Sequence, residues 1–97
     1  MKIALNKCFG GFSFSEYFTR EYNHRYNGEY SSYDLVDMRD TAEVVALMEE
    51  LTPAASSGPC ARLTLVDIPD TCTDFDILEY DGHERIVYVV DGTLHYA

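Results

Sequence analysis

The sequence predicts an α+β domain in the order β-α-α-β-β-β-β, with two helices packed on a mainly antiparallel sheet that ends in a three-stranded meander. Three observations carry this. Aromatic residues recur at helical spacing between Phe14 and Tyr26, a second apolar stripe runs through Ala42, Val45 and Met48, and two Asp-Gly dipeptides, Asp81-Gly82 and Asp91-Gly92, each stand between strand-like segments. Helices that precede a block of strands, rather than alternating with them, point to an antiparallel sheet with the helices gathered on one face.

Residues 2–6, Lys-Ile-Ala-Leu-Asn, read as a short strand with Ile3 and Leu5 on one face. The stretch Lys7-Cys8-Phe9-Gly10-Gly11-Phe12-Ser13-Phe14-Ser15 joins it to the first helix, and its two glycines permit positive φ or a close backbone approach. Ser13 stands three residues before Glu16, the spacing of a capping box, after which Phe14, Tyr17, Phe18, Tyr22 and Tyr26 form one face of a helix running to about Tyr26. Asn27-Gly28 stops that helix and opens a polar, tyrosine-bearing connection over residues 29–39. Asp40 and Glu43 repeat the capping spacing ahead of a second helix that ends before Pro53. Residues 53–59 are a loop by composition, and residues 62–68 alternate and are rich in β-branched side chains, which makes a strand ending at Pro69. Asp-Gly supplies the two positive-φ positions of a type I′ turn, so the remaining strands fall at about 74–80, 84–90 and 93–96.

A chain of 97 residues supports one domain spanning 1–97, with no linker long enough to separate two cores. The formal net charge is −10, from 17 Asp and Glu against 7 Lys and Arg. Affinity for a phosphate backbone comes chiefly from cations that release counterions, so nucleic acid is excluded as a direct ligand and a basic protein partner is the better expectation. Surplus carboxylates that merely keep a small protein soluble are the plainer reading beside it. Cys8, Cys60 and Cys72 are odd in number, contain no C-x-x-C pair and follow no apolar leader, which fits a reducing cytoplasm. No run of about 18 apolar residues occurs, so no membrane span is expected.

Candidate chemistry is sparse. Cys8, beside Gly10-Gly11 and ahead of a helix, has the setting of an activated thiolate, but no His or Asn is tied to it by a recognisable spacing, and a small hydrophobe at a strand end explains it more simply. Gly10-Gly11 also suits a turn that cradles a phosphate or carboxylate, although the dinucleotide fingerprint and the P-loop lysine are both missing and two adjacent glycines are commonly a tight turn. His24, His83 and His95, with Cys60 and Cys72, are scattered singly, so neither a metal nor any other cofactor is expected. Tyr30 and Tyr33 lie beyond the helical period and suit binding anchors. The most informative feature is acidic: Asp67, Asp70, Asp74, Asp76, Glu79, Asp81 and Glu84 occur with no Lys or Arg between Leu63 and Glu84. Strands carrying them would show a negative face able to steer toward a basic groove, with Asp74 and Asp76 on one side; a solvated surface is the alternative. The run lacks the spacing and glycine of an EF-hand loop.

Residues 2–15 resemble the opening "KIxINKCYGGFxLS" of a family of small uncharacterised proteins common in bacteriophages and prophages. Residues 40–51 resemble that family's central helix, residues 61–70 its "AxLKVVEIPD" strand, and residues 76–82 its "EIEEYDG" segment. The chain departs at residues 86–96, where the family often ends in a charged tail, and in its extra tyrosines between Tyr22 and Tyr33. The resemblance implies no activity. It implies a mobile-element setting, in which small acidic single domains inhibit host machinery, CRISPR effectors included.

The expectation is therefore a phage-derived, non-enzymatic inhibitor in the host bacterial cytoplasm. It would bind a host protein with a basic surface, such as the nucleic-acid groove of a CRISPR effector, through the seven carboxylates with Tyr30 and Tyr33. The alternative is a small module that sequesters a small-molecule ligand or signal near Gly10-Gly11.

Overall fold

In the computed structural model, which describes residues 1–97, the first strand lies in the middle layer of the molecule. Strand β1 (Lys2–Asn6) pairs antiparallel with β2 (Leu63–Asp67) in the register Ile3↔Val66, Ala4↔Leu65 and Leu5↔Thr64. Successive side chains of a strand point to opposite faces, and here both faces are covered. Ala4 and Leu63 join Phe14, Phe18, Leu47 and Met48 in a helix-facing core, whereas Ile3 and Leu5 join Ile68 and Ile86 in a second core on the other side. Coverage on both faces is why β1 reads as the nearly unbroken apolar run Ile-Ala-Leu.

The helical layer comprises α1 (Glu16–Tyr26), α2 (Ser32–Val36), α3 (Ala42–Leu51) and α4 (Pro53–Ser56). Phe14, Phe18 and Tyr22 form the buried stripe that α1 and its approach contribute, with the first two rings stacked at 4.4 Å, while Tyr17 and Tyr26 turn outward. The first helix is capped by Ser15 rather than Ser13, the Ser15 hydroxyl accepting from Phe18 N at 3.1 Å, and α3 by Thr41 rather than Asp40. Asn27 ends α1 in the left-handed region at φ 55°, as its Asn-Gly signature predicts.

The connection over residues 29–39 contains α2, a helix the spacing did not predict. Its capping box is complete, with Asp34 N donating to Ser31 Oγ at 3.1 Å and Ser31 N donating to Asp34 Oδ2 at 2.9 Å. In the segment expected to be loop, Pro53 occupies the first turn of α4.

The meander stands as predicted to within a residue: β3 (Asp74–Tyr80), β4 (His83–Val90) and β5 (Thr93–Tyr96). Both Asp-Gly turns carry positive φ at each position, Asp81 50° and Gly82 89°, Asp91 51° and Gly92 74°. The strands do not join β1 and β2 in one sheet. They form a separate three-stranded sheet whose inner face, with Phe75, Ile77, Ile86 and Tyr88, closes the second core. The helices accordingly pack on the two-stranded sheet alone, giving the layers helices, β1–β2, meander.

Candidate protein-docking surface

Side chains help to close two of the sheet edges. Antiparallel pairing with β2 leaves the N–H groups of Ala4 and Asn6 pointing to the far side of β1. Ala4 N donates to the carbonyl of Arg39 at 3.4 Å, and Asn6 N donates to Glu84 Oε1 at 2.8 Å. Arg39 Nη1 donates to that same carboxylate oxygen at 2.7 Å, and the guanidinium lies 4.4 Å from the centre of the Phe12 ring. Glu84 is buried, so this carboxylate belongs to the interior and closes the edge of β1. On β3, Asp74 Oδ1 accepts from Phe75 N and Asp76 Oδ1 from Ile77 N, each at 2.9 Å. Each carboxylate covers an N–H that points away from β4 and blunts the outer edge, yet stays exposed to solvent.

The seven carboxylates are thereby distributed over four places. Asp67 and Asp70 lie beside the Met1 amino group, at 3.4 and 2.7 Å, and the bond from that amine holds the Asp70 carboxyl below its ordinary pKa. Glu79 and Glu84 point to the inner face of the meander, where Glu79 Oε1 accepts from Gly82 N at 2.6 Å. Asp81 lies in the first hairpin turn. Asp74 and Asp76 alone share an outward strand face. Tyr30 and Tyr33 belong to the helical layer: Tyr30 exchanges two 2.8 Å hydrogen bonds with the Asn23 side chain and meets the Tyr22 ring edge-on, and Tyr33 projects outward from α2.

The outward face of the meander is organised by strand register into cross-strand rows. Asp74 stands opposite Val89, which stands opposite Leu94; Asp76 opposite Val87, and Val87 opposite Tyr96. Leu78 pairs with Arg85, and Tyr80 with His83. One margin is thus a pair of carboxylates and the remainder is dominated by apolar and aromatic side chains, with Tyr80 75% exposed, Leu94 60% and Tyr96 56%. Arg85 lies over the Tyr96 ring at 5.3 Å. Phe9, exposed and 5.5 Å from the His83 ring, extends the patch beyond the turn and, with Leu78, Tyr80 and Arg85, walls a shallow cleft of about 290 Å³.

The Gly10-Gly11 stretch abuts this hairpin. Gly10 N donates to the Asp81 carbonyl at 3.0 Å, and a Cβ on Gly82 would lie 2.0 Å from Gly11 N, so the glycines serve a backbone-to-backbone approach. Asn6, fully buried, bolts the two turns together by donating from Nδ2 to the Cys8 and Gly82 carbonyls, both at 2.7 Å. A cleft of about 380 Å³ beside Gly11 is lined by Phe12, Arg39, Glu79 and Glu84. It offers two carboxylates against one guanidinium, a balance that repels phosphate. Cys8 is half-buried, its Sγ 3.5 Å from the Phe9 carbonyl, and all three cysteines are free thiols. No three His, Cys, Asp or Glu side chains converge as metal ligands, and no helix is long and apolar enough to cross a membrane.

No family model, curated protein or solved structure matches the chain. The apolar half of this candidate surface, Leu78, Tyr80, Val87, Leu94 and Tyr96, is not among the residues that the acidic run singles out. The signal was available: a period of two places Leu78 and Tyr80 on the same side as Asp74 and Asp76.

Proposed function

We propose that this protein acts by binding a basic surface of another protein. In the mobile-element setting that residues 2–15 suggest, it does so as an inhibitor of a host effector that handles nucleic acid, a CRISPR nuclease being the sharpest case. The observation that carries the reading is the solvent-facing pair Asp74 and Asp76 at the margin of an exposed apolar sheet face, in a chain of net charge −10. Carboxylates so placed attract a cationic surface at long range and reject wrong partners by like-charge repulsion.

The test is a plaque assay in bacteria whose CRISPR effector restricts a phage, paired with binding of the purified proteins at rising salt. Expression of the protein should restore plaques, and binding should weaken as salt screens the charges. The charge reversal Asp74→Lys with Asp76→Lys should abolish both. Full restoration by a folded double variant would sink the reading.

A further inference from the structure

We infer that the outward face of the meander docks a protein patch that is apolar at its centre and carries two Lys or Arg side chains about 7 Å apart on one margin, the spacing of alternate strand residues. This rests on the reading that the chain binds a basic protein surface, and adds where and with what. The rows Asp74–Val89–Leu94 and Asp76–Val87–Tyr96 each run from a carboxylate at one edge to an exposed apolar side chain at the other. A partner matching both rows would pair its cations with Asp74 and Asp76 while covering Val87, Leu94 and Tyr96. An exposed apolar patch with a polar rim is the usual mark of a protein contact, and aromatic side chains such as Tyr96 are enriched among the residues that carry the binding energy of such contacts.

Charge decides the occupant. A second copy would bring another net charge of −10 to the interface, and nucleic acid would meet the carboxylate margin as a polyanion. A cation-rimmed apolar patch satisfies both halves of the face.

Two synthetic peptides of equal length and charge test this by NMR titration of the amide spectrum, one alternating Leu and Lys, the other alternating Ser and Lys. The Leu-Lys peptide should shift amides over residues 74–96 and bind about tenfold or more tighter than the Ser-Lys peptide. Leu94→Ser with Tyr96→Ser should erase that difference, and Asp74→Lys with Asp76→Lys should weaken both peptides. Equal affinity for the two peptides, or a Leu94→Ser/Tyr96→Ser variant that binds like the parent, overturns the inference while leaving the electrostatic reading intact. If charge reversal has no effect on either peptide, both fail. Sedimentation velocity is the companion measurement: a dimer that dissociates in the Leu94→Ser/Tyr96→Ser variant would make a second copy the occupant and overturn the inference. All four substituted side chains are exposed, and retained amide dispersion checks that each variant folds.

Discussion

Glu84→Ala removes the carboxylate whose Oε1 two donors share, Asn6 N at 2.8 Å and Arg39 Nη1 at 2.7 Å. With it gone, a buried backbone N–H on β1 has no acceptor, which costs about 1–3 kcal/mol. Arg39, only 18% exposed, is left with a 3.4 Å contact to the Ala4 carbonyl and the face of Phe12. Removing one partner of a buried pair costs about 3–5 kcal/mol, and partial exposure of the guanidinium places this case at the lower end. The two figures are not additive because they count the same oxygen, so the expected loss is about 3 kcal/mol, a large share of the roughly 5–15 kcal/mol that holds a small domain together. At roughly 4–8 °C per kcal/mol, Tm should fall by about 12–24 °C in calorimetry. Glu84→Gln keeps an acceptor for Asn6 and discards only the charge, so it should lose about half as much. Hydrogen exchange supplies the local readout, with the Ala4 and Asn6 amides losing protection ahead of the helices. A Tm drop below about 5 °C for Glu84→Ala would refute the buried strut and return Glu84 to the solvated surface.

Gly82→Ala should be worse than Gly92→Ala, although both glycines hold positive φ, because the added methyl at 82 meets Gly11 N while the one at 92 meets nothing within 4 Å. About 1–2 kcal/mol is expected at 92 from backbone strain and about 1–3 kcal/mol more at 82 from the clash; equal denaturation midpoints would refute the close approach. The buried Tyr22 phenol is pushed above its ordinary pKa by lost hydration, with the Glu43 carboxylate adding to the effect. A phenol whose folded pKa exceeds its unfolded value stabilises the fold fully below about pH 10, and that stability is lost as pH rises through the folded pKa. Absorbance at the tyrosinate band should show one late-titrating tyrosine that disappears in Tyr22→Phe. Asn6→Ala leaves the Cys8 and Gly82 carbonyls and Arg62 N without their shared partner and should cost about 3 kcal/mol by chemical denaturation. Tyr33→Ser, on an open surface, should change stability by less than about 0.5 kcal/mol.

The meander was legible because Asp-Gly fixes both turn type and register, and the helices because apolar period and length agree. Helix α2 was missed although Ser31 and Asp34 carry the capping spacing, since five residues with one buried side chain, Leu35, leave no periodic stripe. The division into two sheets was hidden for a different reason. Alternation tells which residues share a face but not what covers it, and the run Ile-Ala-Leu-Asn suits a strand covered on one face or on both. The acidic run illustrates the same limit at the site. Glu84 reads like its neighbours in sequence, yet it shares a face with Ile86, and that face turns inward to meet Arg39 from 45 residues away.

The placement of β1 between two cores sets the order in which this molecule assembles. The meander hairpins close through two-residue turns, so they can form early, but Ile77, Ile86 and Tyr88 stay wet until β1 arrives. Pairing Lys2 with Asp67 closes a loop of roughly 65 residues, an entropic toll of about 4 kcal/mol with no local contacts to offset it. That closure completes both cores at once, since Ala4 serves one and Ile3 and Leu5 the other. Helices and meander are therefore expected to unfold in one cooperative transition, and stopped-flow refolding should show substitutions in β1 slowing folding while substitutions on the outward meander face leave its rate unchanged.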